Sequence, residues 1–241
     1  MNLTTKSVSQ GDLADLSAAT KRSAGFYAVA GKRGLDRAVS GMALLLLSPL
    51  LLIVAVCTKA LSRGPVLFCQ ERVGKKGLRF SIVKFRTMIP DASAMGPPIT
   101  VGGDSRVTSV GAVLRKYKLD ELPQLWNVFK GEMSLVGPRP ELPAYVALYT
   151  ASQMRVLSVR PGITDPASIA YRHEESALAQ EHNPERYYRE QLLPKKLALS
   201  LRYIDALSLR TDLSILYQTA VSLLRKPTAE AAGQAAKPKQ N

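Results

Sequence analysis

Asp120 and Glu121 are adjacent carboxylates in the stretch Leu-Asp-Glu-Leu-Pro. Arg115 and Lys116 precede them, and Arg139 follows in Gly-Pro-Arg-Pro, a loop stiffened by Pro138 and Pro140. Upstream, Val-Lys-Phe-Arg-Thr-Met adds Lys84 and Arg86, and Gly-Gly-Asp-Ser-Arg adds Asp104 and Arg106. Taken alone, an Asp-Glu pair ahead of a proline is explained by helix capping, because acidic groups favour a helix N-terminus. The surrounding cations suggest more. Arginine forks on rigid loops match phosphate oxygens in bidentate geometry, although a solvated basic face would contain the same residue types.

These groups must be held by short elements. Pro-Val-Leu-Phe-Cys-Gln-Glu-Arg-Val and Arg-Phe-Ser-Ile-Val-Lys-Phe-Arg-Thr-Met flank a Gly-Lys-Lys-Gly turn, which predicts a β-hairpin. Ser-Val-Gly-Ala-Val-Leu-Arg-Lys-Tyr-Lys reads as a short helix. Glu-Leu-Pro-Gln-Leu-Trp-Asn-Val-Phe-Lys-Gly reads as another, with Pro123 early and Gly131 as its stop. Residues 132–143 read as a proline-broken loop, 144–159 as helix, 160–171 as loop with a short strand, and 184–224 as mostly helix. The expected fold is an α-rich α/β domain with little sheet and several amphipathic helices. It should occupy about residues 30–225, with a flexible extension over 1–29 and a low-complexity, disordered tail over 226–241.

The most apolar stretch, Met-Ala-Leu-Leu-Leu-Leu-Ser-Pro-Leu-Leu-Leu-Ile-Val-Ala-Val-Cys (42–57), carries Ser48 and Pro49 at its middle. About 21 residues separate Arg37 from Lys59, barely enough for a hydrocarbon core of about 30 Å. Pro49 removes a backbone donor and frees a carbonyl one turn earlier, to which the Ser48 hydroxyl can donate. Basic residues lie on both flanks: Lys32, Arg33 and Arg37 before, Lys59, Arg63 and Arg72 after. Such residues stay on the cytoplasmic side, so the pattern favours a helix over about 36–60 that breaks at Ser48-Pro49 and returns to its own face. A kinked span and a buried core helix are the other readings. A cleaved signal peptide fits poorly, since no small-residue cleavage site follows the run.

The formal net charge of +14 attracts nucleic acid, anionic headgroups or phosphorylated substrates alike. Nucleic acid is disfavoured, because no zinc-finger spacing, RNA-binding aromatic motif or basic zipper occurs. Two cysteines (Cys57, Cys69) and two histidines (His173, His182) leave little for disulfides, zinc or a Ser-His triad. A metal here would be Mg²⁺ on oxygen ligands.

At the block Leu-Arg-Lys-Tyr-Lys-Leu-Asp-Glu-Leu-Pro-Gln-Leu-Trp-Asn-Val-Phe-Lys-Gly-Glu-Met-Ser-Leu-Val-Gly-Pro-Arg-Pro-Glu-Leu-Pro (114–143) the chain resembles the bacterial sugar transferases, the monotopic phosphoglycosyl transferases. The likeness extends from Lys-Arg-Gly-Leu-Asp-Arg to the closing Thr-Asp-Leu-Ser-Ile-Leu, about residues 31–218, and includes the Ser-Pro run and Arg-Pro-Gly-Ile-Thr at Arg160. The resemblance implies transfer of a sugar 1-phosphate from a UDP-sugar to polyprenol phosphate, with release of UMP and a need for Mg²⁺. It implies a re-entrant helix at Ser48-Pro49, Asp120 as nucleophile, and Glu121 in metal placement or acceptor deprotonation. Asp120 and Glu121 would be the metal-holding pair. Arg115, Arg139, Lys84, Arg86, Arg106 and Arg160 would bind phosphate or substrate. The implied setting is the cytoplasmic face of a bacterial inner membrane, in contact with membrane lipid, with self-association left open. Where many relatives continue with Gly-Trp, this chain has Asp165-Pro166, which bears on sugar recognition and leaves the reaction class intact. The competing reading is a non-catalytic, membrane-tethered basic interaction module.

Overall fold

The computed structural model describes Tyr27, residues 31–97 and residues 99–224; the expected flexible N-terminal extension (apart from Tyr27) and the expected disordered tail lie outside them. The chain opens with one long helix, α1 (Lys32–Leu61), and then the hairpin β1 (Leu67–Val73) and β2 (Arg79–Phe85). Short helices follow: α2 (Ser109–Lys116), α3 (Gln124–Lys130) and, beyond strand β3 (Ser134–Val136), α4 (Pro143–Val146). Strand β4 (Gly162–Thr164) leads into α5 (Pro166–Ala170), α6 (Glu174–Leu178), α7 (Pro184–Tyr187), α8 (Leu193–Asp205) and α9 (Leu209–Leu224).

The hairpin is antiparallel, pairing Leu67 with Phe85 and Val73 with Arg79. Its turn carries Lys76 at φ 59° and Gly77 at φ 75°, the left-handed conformation that the Gly-Lys-Lys-Gly sequence tolerates. A second sheet joins the segment read as proline-broken loop to the short strand expected within 160–171. There β3 pairs in parallel with β4, Ser134 opposite Gly162 and Val136 opposite Thr164. The predicted helix over 144–159 is cut down to α4 and a 3₁₀ turn at Gln153–Ser158. The parallel pair needs two backbones in contact, and Gly137 and Gly162 supply the space: a Cβ on Gly162 would stand 2.1 Å from the nitrogen of Gly137. The Ser134 amide donates to the Pro161 carbonyl and the Gly162 amide to the Pro138 carbonyl, so the Gly-Pro-Arg-Pro loop is tied at its root.

Three apolar clusters hold the domain. The largest gathers Val136, Tyr145, Val156, Leu178, Tyr188, Leu193, Leu197 and Tyr203 from the C-terminal half. A second joins Ile82, Val128 and Met133, seating α3 on β2. The third joins Val54 of α1 to Phe85 and Leu114. Asn127 completes the α3–β2 joint. Its carboxamide accepts from the Val83 amide (3.1 Å) and donates to the Ser81 carbonyl and to Glu132 (both 2.8 Å).

Helix α1 runs about 45 Å at 1.5 Å per residue, long and apolar enough to cross a membrane. It runs through Ser48 and Pro49 as one helical element in which Pro49 removes a single backbone hydrogen bond. Pro49 cannot donate to the Leu45 carbonyl, and the Ser48 hydroxyl donates to it instead, at 2.8 Å. One stripe of the helix is buried against the domain at both ends, through Asp36 and Ser40 and again through Val54 and Thr58. Around it Leu45, Leu46, Leu52, Ile53 and Val56 are exposed.

Gly162→Ala is expected to cost about 3 kcal/mol or more, because the new methyl meets backbone that cannot move aside. Thermal unfolding of the detergent-solubilised protein measures it, and a loss under about 1 kcal/mol would contradict the close approach of β3 and β4.

Candidate active site

The acid pair sits on neither of the helix N-caps that the bland reading requires. A 3₁₀ turn, Leu119–Glu121, precedes α3, and neither carboxylate accepts a capping amide. Lys118, at φ 56°, swings the chain out of α2 into this turn and delivers both acids inward. Both are buried, Asp120 with 7% and Glu121 with 9% of their surface exposed.

Glu121 is held from two other segments. Lys84 of β2 donates to its Oε1 at 2.8 Å. Arg139, from the loop after β3, donates to Oε1 at 2.7 Å and reaches Oε2 at 3.5 Å. Burial works to raise the Glu121 carboxyl, but the charges of Arg139 and Lys84 outweigh it and hold the group well below the usual range. Burial lowers the Lys84 ammonium, against the pull of Glu121. The charge of Glu121 raises Arg139 above its ordinary value.

Asp120 contrasts with its neighbour. Its buried Oδ1 has no hydrogen-bond partner among the described residues. Burial, and then the charge of Glu121, push its carboxyl up; Lys84, Lys118 and Arg115 pull it back. A carboxylate raised by burial, with an unpartnered oxygen, thus stands beside one that two cations have committed.

Arg115 occupies the rim. Its Nε donates to the Thr87 hydroxyl at 2.9 Å and its Nη1 to Glu175 at 3.1 Å. The approach depends on Gly111, where a Cβ would fall 2.0 Å from the Thr87 carbonyl oxygen, so α2 lies directly on that strand end. Glu175 belongs to α6, in the segment where this chain departs from the Gly-Trp pattern.

The other arginines named from sequence spend their donors on the fold. Arg86 donates to the carbonyls of Pro65, Ser62 and Met88 and to the Ser62 hydroxyl, fastening the end of α1 to the hairpin. Arg106 is caged by Asp104 and the carbonyls of Ala92, Pro97 and Ile99. Arg160 donates to the Gly131 carbonyl at 2.8 Å, closing the C-terminus of α3. The structure therefore brings together Lys84, Asp120, Glu121 and Arg139, with Arg115 at the edge. Sequence reasoning missed Asn127 and Gln124, two buried amides on the inward side of α3; their spacing of three in Pro-Gln-Leu-Trp-Asn is the signal that could have found them.

Among the described residues no group of three or more His, Cys, Asp or Glu could enclose a metal ion. The donor set still fits Mg²⁺, which is commonly held by one or two carboxylates with phosphate oxygens and waters completing its shell. Oδ2 of Asp120, which is not the buried oxygen, and the weakly engaged Oε2 of Glu121 are the protein atoms available to it.

Residues 27–226 match the family model described as bacterial sugar transferase. The chain belongs to the bacterial sugar transferase family. It is similar to the UDP-N-acetylgalactosamine-undecaprenyl-phosphate N-acetylgalactosaminephosphotransferase of Aeromonas hydrophila, 38% identical over 80% of this chain and 43% of that protein. It is also similar to the UDP-glucose:undecaprenyl-phosphate glucose-1-phosphate transferase of Caulobacter vibrioides, 37% identical over 82% of this chain and 71% of that protein. The exopolysaccharide production protein ExoY of Rhizobium meliloti is 36% identical over 80% of this chain and 86% of its own length. The chain spans less than half of the Aeromonas relative and most of ExoY. This bacterial sugar transferase has its acid pair within the matched span.

Glu121→Gln leaves Lys84 and Arg139 facing each other without a carboxylate, and is expected to cost about 3–5 kcal/mol in thermal unfolding. The same ion pairs make stability pH-dependent. The folded carboxyl of Glu121 lies below its unfolded value of 4.5, so the contribution is full above that value. It fades as pH falls toward the folded value. Glu121→Gln should flatten that acid limb; an unchanged limb would show that Glu121 does not supply it.

Proposed function

We propose that this chain transfers a sugar 1-phosphate from a UDP-sugar to undecaprenyl phosphate, through a covalent intermediate on Asp120. The observation that carries the reading is the division of labour inside the acid pair: Glu121 is fixed by Lys84 and Arg139, while Asp120 keeps an unpartnered oxygen. A carboxylate needs no base to act as a nucleophile near neutral pH. Its obstacle is repulsion from the diphosphate, which fixed cations offset.

In the first step an Asp120 oxygen attacks the sugar-linked phosphorus. The Asp120–phosphorus bond forms, the bond from phosphorus to the UMP oxygen breaks, and UMP leaves with the electron pair. In the second step a phosphate oxygen of undecaprenyl phosphate attacks the same phosphorus and Asp120 departs as a carboxylate. Arg115, at the rim, and Arg139, beside Glu121, are the guanidiniums placed to meet phosphate oxygens. Mg²⁺, held by Asp120 and Glu121, would neutralise charge on the diphosphate. The names of the relatives supply the substrate classes, and that of ExoY places such a step in polysaccharide production.

The membrane reading rests on α1. Arg37 donates to the Lys130 carbonyl and Asp36 accepts from the Ser134 hydroxyl at one end, while Val54 packs on Phe85 and Leu114 at the other. Both ends rest on one domain, as expected of a helix that enters a single leaflet of the inner membrane from the cytoplasmic face and does not cross it.

Incubated with UDP-sugars and no lipid acceptor, the wild-type protein is expected to release UMP in a burst equal to the enzyme concentration and to gain the mass of a sugar phosphate. Asp120→Asn should lose both while remaining in the membrane fraction; retained turnover would remove Asp120 as nucleophile. Single cysteines placed before Arg33 and after Arg63 should be labelled from the cytoplasmic side only. Labelling from opposite sides would make α1 a span.

A further inference from the structure

Helix α3 buries two carboxamides, each with 1% of its surface exposed, and treats them differently. Asn127 satisfies both of its polar atoms on the hairpin and Glu132. Gln124 leaves its donor unused: its Nε2 is closed to solvent and has no acceptor among the described residues. Only one other buried group in this turn is left the same way, the Oδ1 of Asp120, also closed to solvent and without a donor. One is a donor, the other an acceptor. The backbone between them is helical throughout, from the 3₁₀ turn through Leu122 and Pro123 into α3, so they lie just over one turn apart. Gln and Asp four residues apart on helical backbone are within reach of a side-chain hydrogen bond.

A buried polar atom left unpaired is costly, and native folds rarely keep one without a use. Both atoms are sealed from water, and each is the partner type that the other lacks. We propose that Gln124 is the positioning residue for Asp120: its amide donates to Oδ1 in the reactive state and leaves Oδ2 as the attacking oxygen. This rests on the phosphosugar-transfer reading, which it sharpens by choosing between the two oxygens of the nucleophile. A neutral donor suits the task. A third cation beside Lys84 and Arg139 would hold the carboxylate as firmly as Glu121 is held and blunt its attack.

The test uses Gln124→Met, close in shape but without a donor, and Gln124→Glu, which faces Asp120 with a like charge. In rapid-quench measurements of UMP release without acceptor, Gln124→Met is expected to slow the burst at least tenfold and Gln124→Glu more. UDP-sugar affinity, measured by equilibrium binding in the unreactive Asp120→Asn background, should change less than threefold with Gln124→Met. A purely structural role would weaken both together. A burst rate within threefold of wild type, or equal losses in rate and affinity, would overturn the assignment.

Thermal unfolding gives a readout that needs no turnover. Gln124→Met should lower Tm at least twice as much in wild type as in Asp120→Ala, where no carboxylate remains to be satisfied. Equal losses in the two backgrounds would overturn the pairing. A wild type that gives no burst but keeps the Tm coupling would instead overturn the transfer reading and leave the pair standing.

Discussion

Glu121 is the junction on which the site depends. Lys84 comes from the hairpin, Arg139 from the loop rooted at the parallel β3–β4 pair, and Glu121 from the turn ahead of α3. These three segments have no covalent reason to meet, and a buried carboxylate with two partly buried cations supplies an electrostatic one. Removing Glu121 leaves two cations facing each other without their counter-charge, the expensive condition for desolvated ions. The arrangement therefore serves the fold first. Its by-product is that the neighbouring Asp120 is drawn into the same desolvated region with no cation of its own.

That asymmetry is what the chemistry needs. Two adjacent carboxylates with equal surroundings would share protons and metal alike. Here one is clamped, and the other is raised by burial while positive charge from Lys84, Lys118 and Arg115 pulls it back. The membrane helix adds a second constraint, since its two ends rest on the domain that carries the pair. In the proposed membrane setting, the height of Asp120 above the bilayer is set by packing and not by a flexible tether.

Much of this was legible in the sequence, and the rest failed for identifiable reasons. The hairpin, α2, α3 and the long apolar helix follow from periodicity and turn residues. The Ser48 hydroxyl meets the carbonyl freed by Pro49, as the chemistry of the Ser-Pro pair suggested. The β3–β4 pair was hidden because parallel pairing is a long-range event, here enabled by two glycines that read locally as loop. Among the cations, Arg139 could be picked out by its flanking prolines. Arg86, Arg106 and Arg160 could not be separated from it, because an arginine that ties backbone carbonyls and one that faces a substrate look alike until the carbonyls are placed. Asn127 and Gln124 were passed over because amides carry no charge to attract notice.

The contacts at the foot of α1 bear on how the protein is made. Asp36 waits for Ser134, 98 residues later, and Lys32 for Asp212, 180 residues later. At ribosomal rates of about 5–20 residues per second, Ser134 follows Asp36 by roughly 5–20 s and Asp212 follows Lys32 by roughly 9–36 s. Through the first of these intervals a strongly apolar helix has emerged with neither of those partners yet made. Lipid is the solvent that can receive it, so the membrane acts on this chain as a folding environment well before it acts as the place of work.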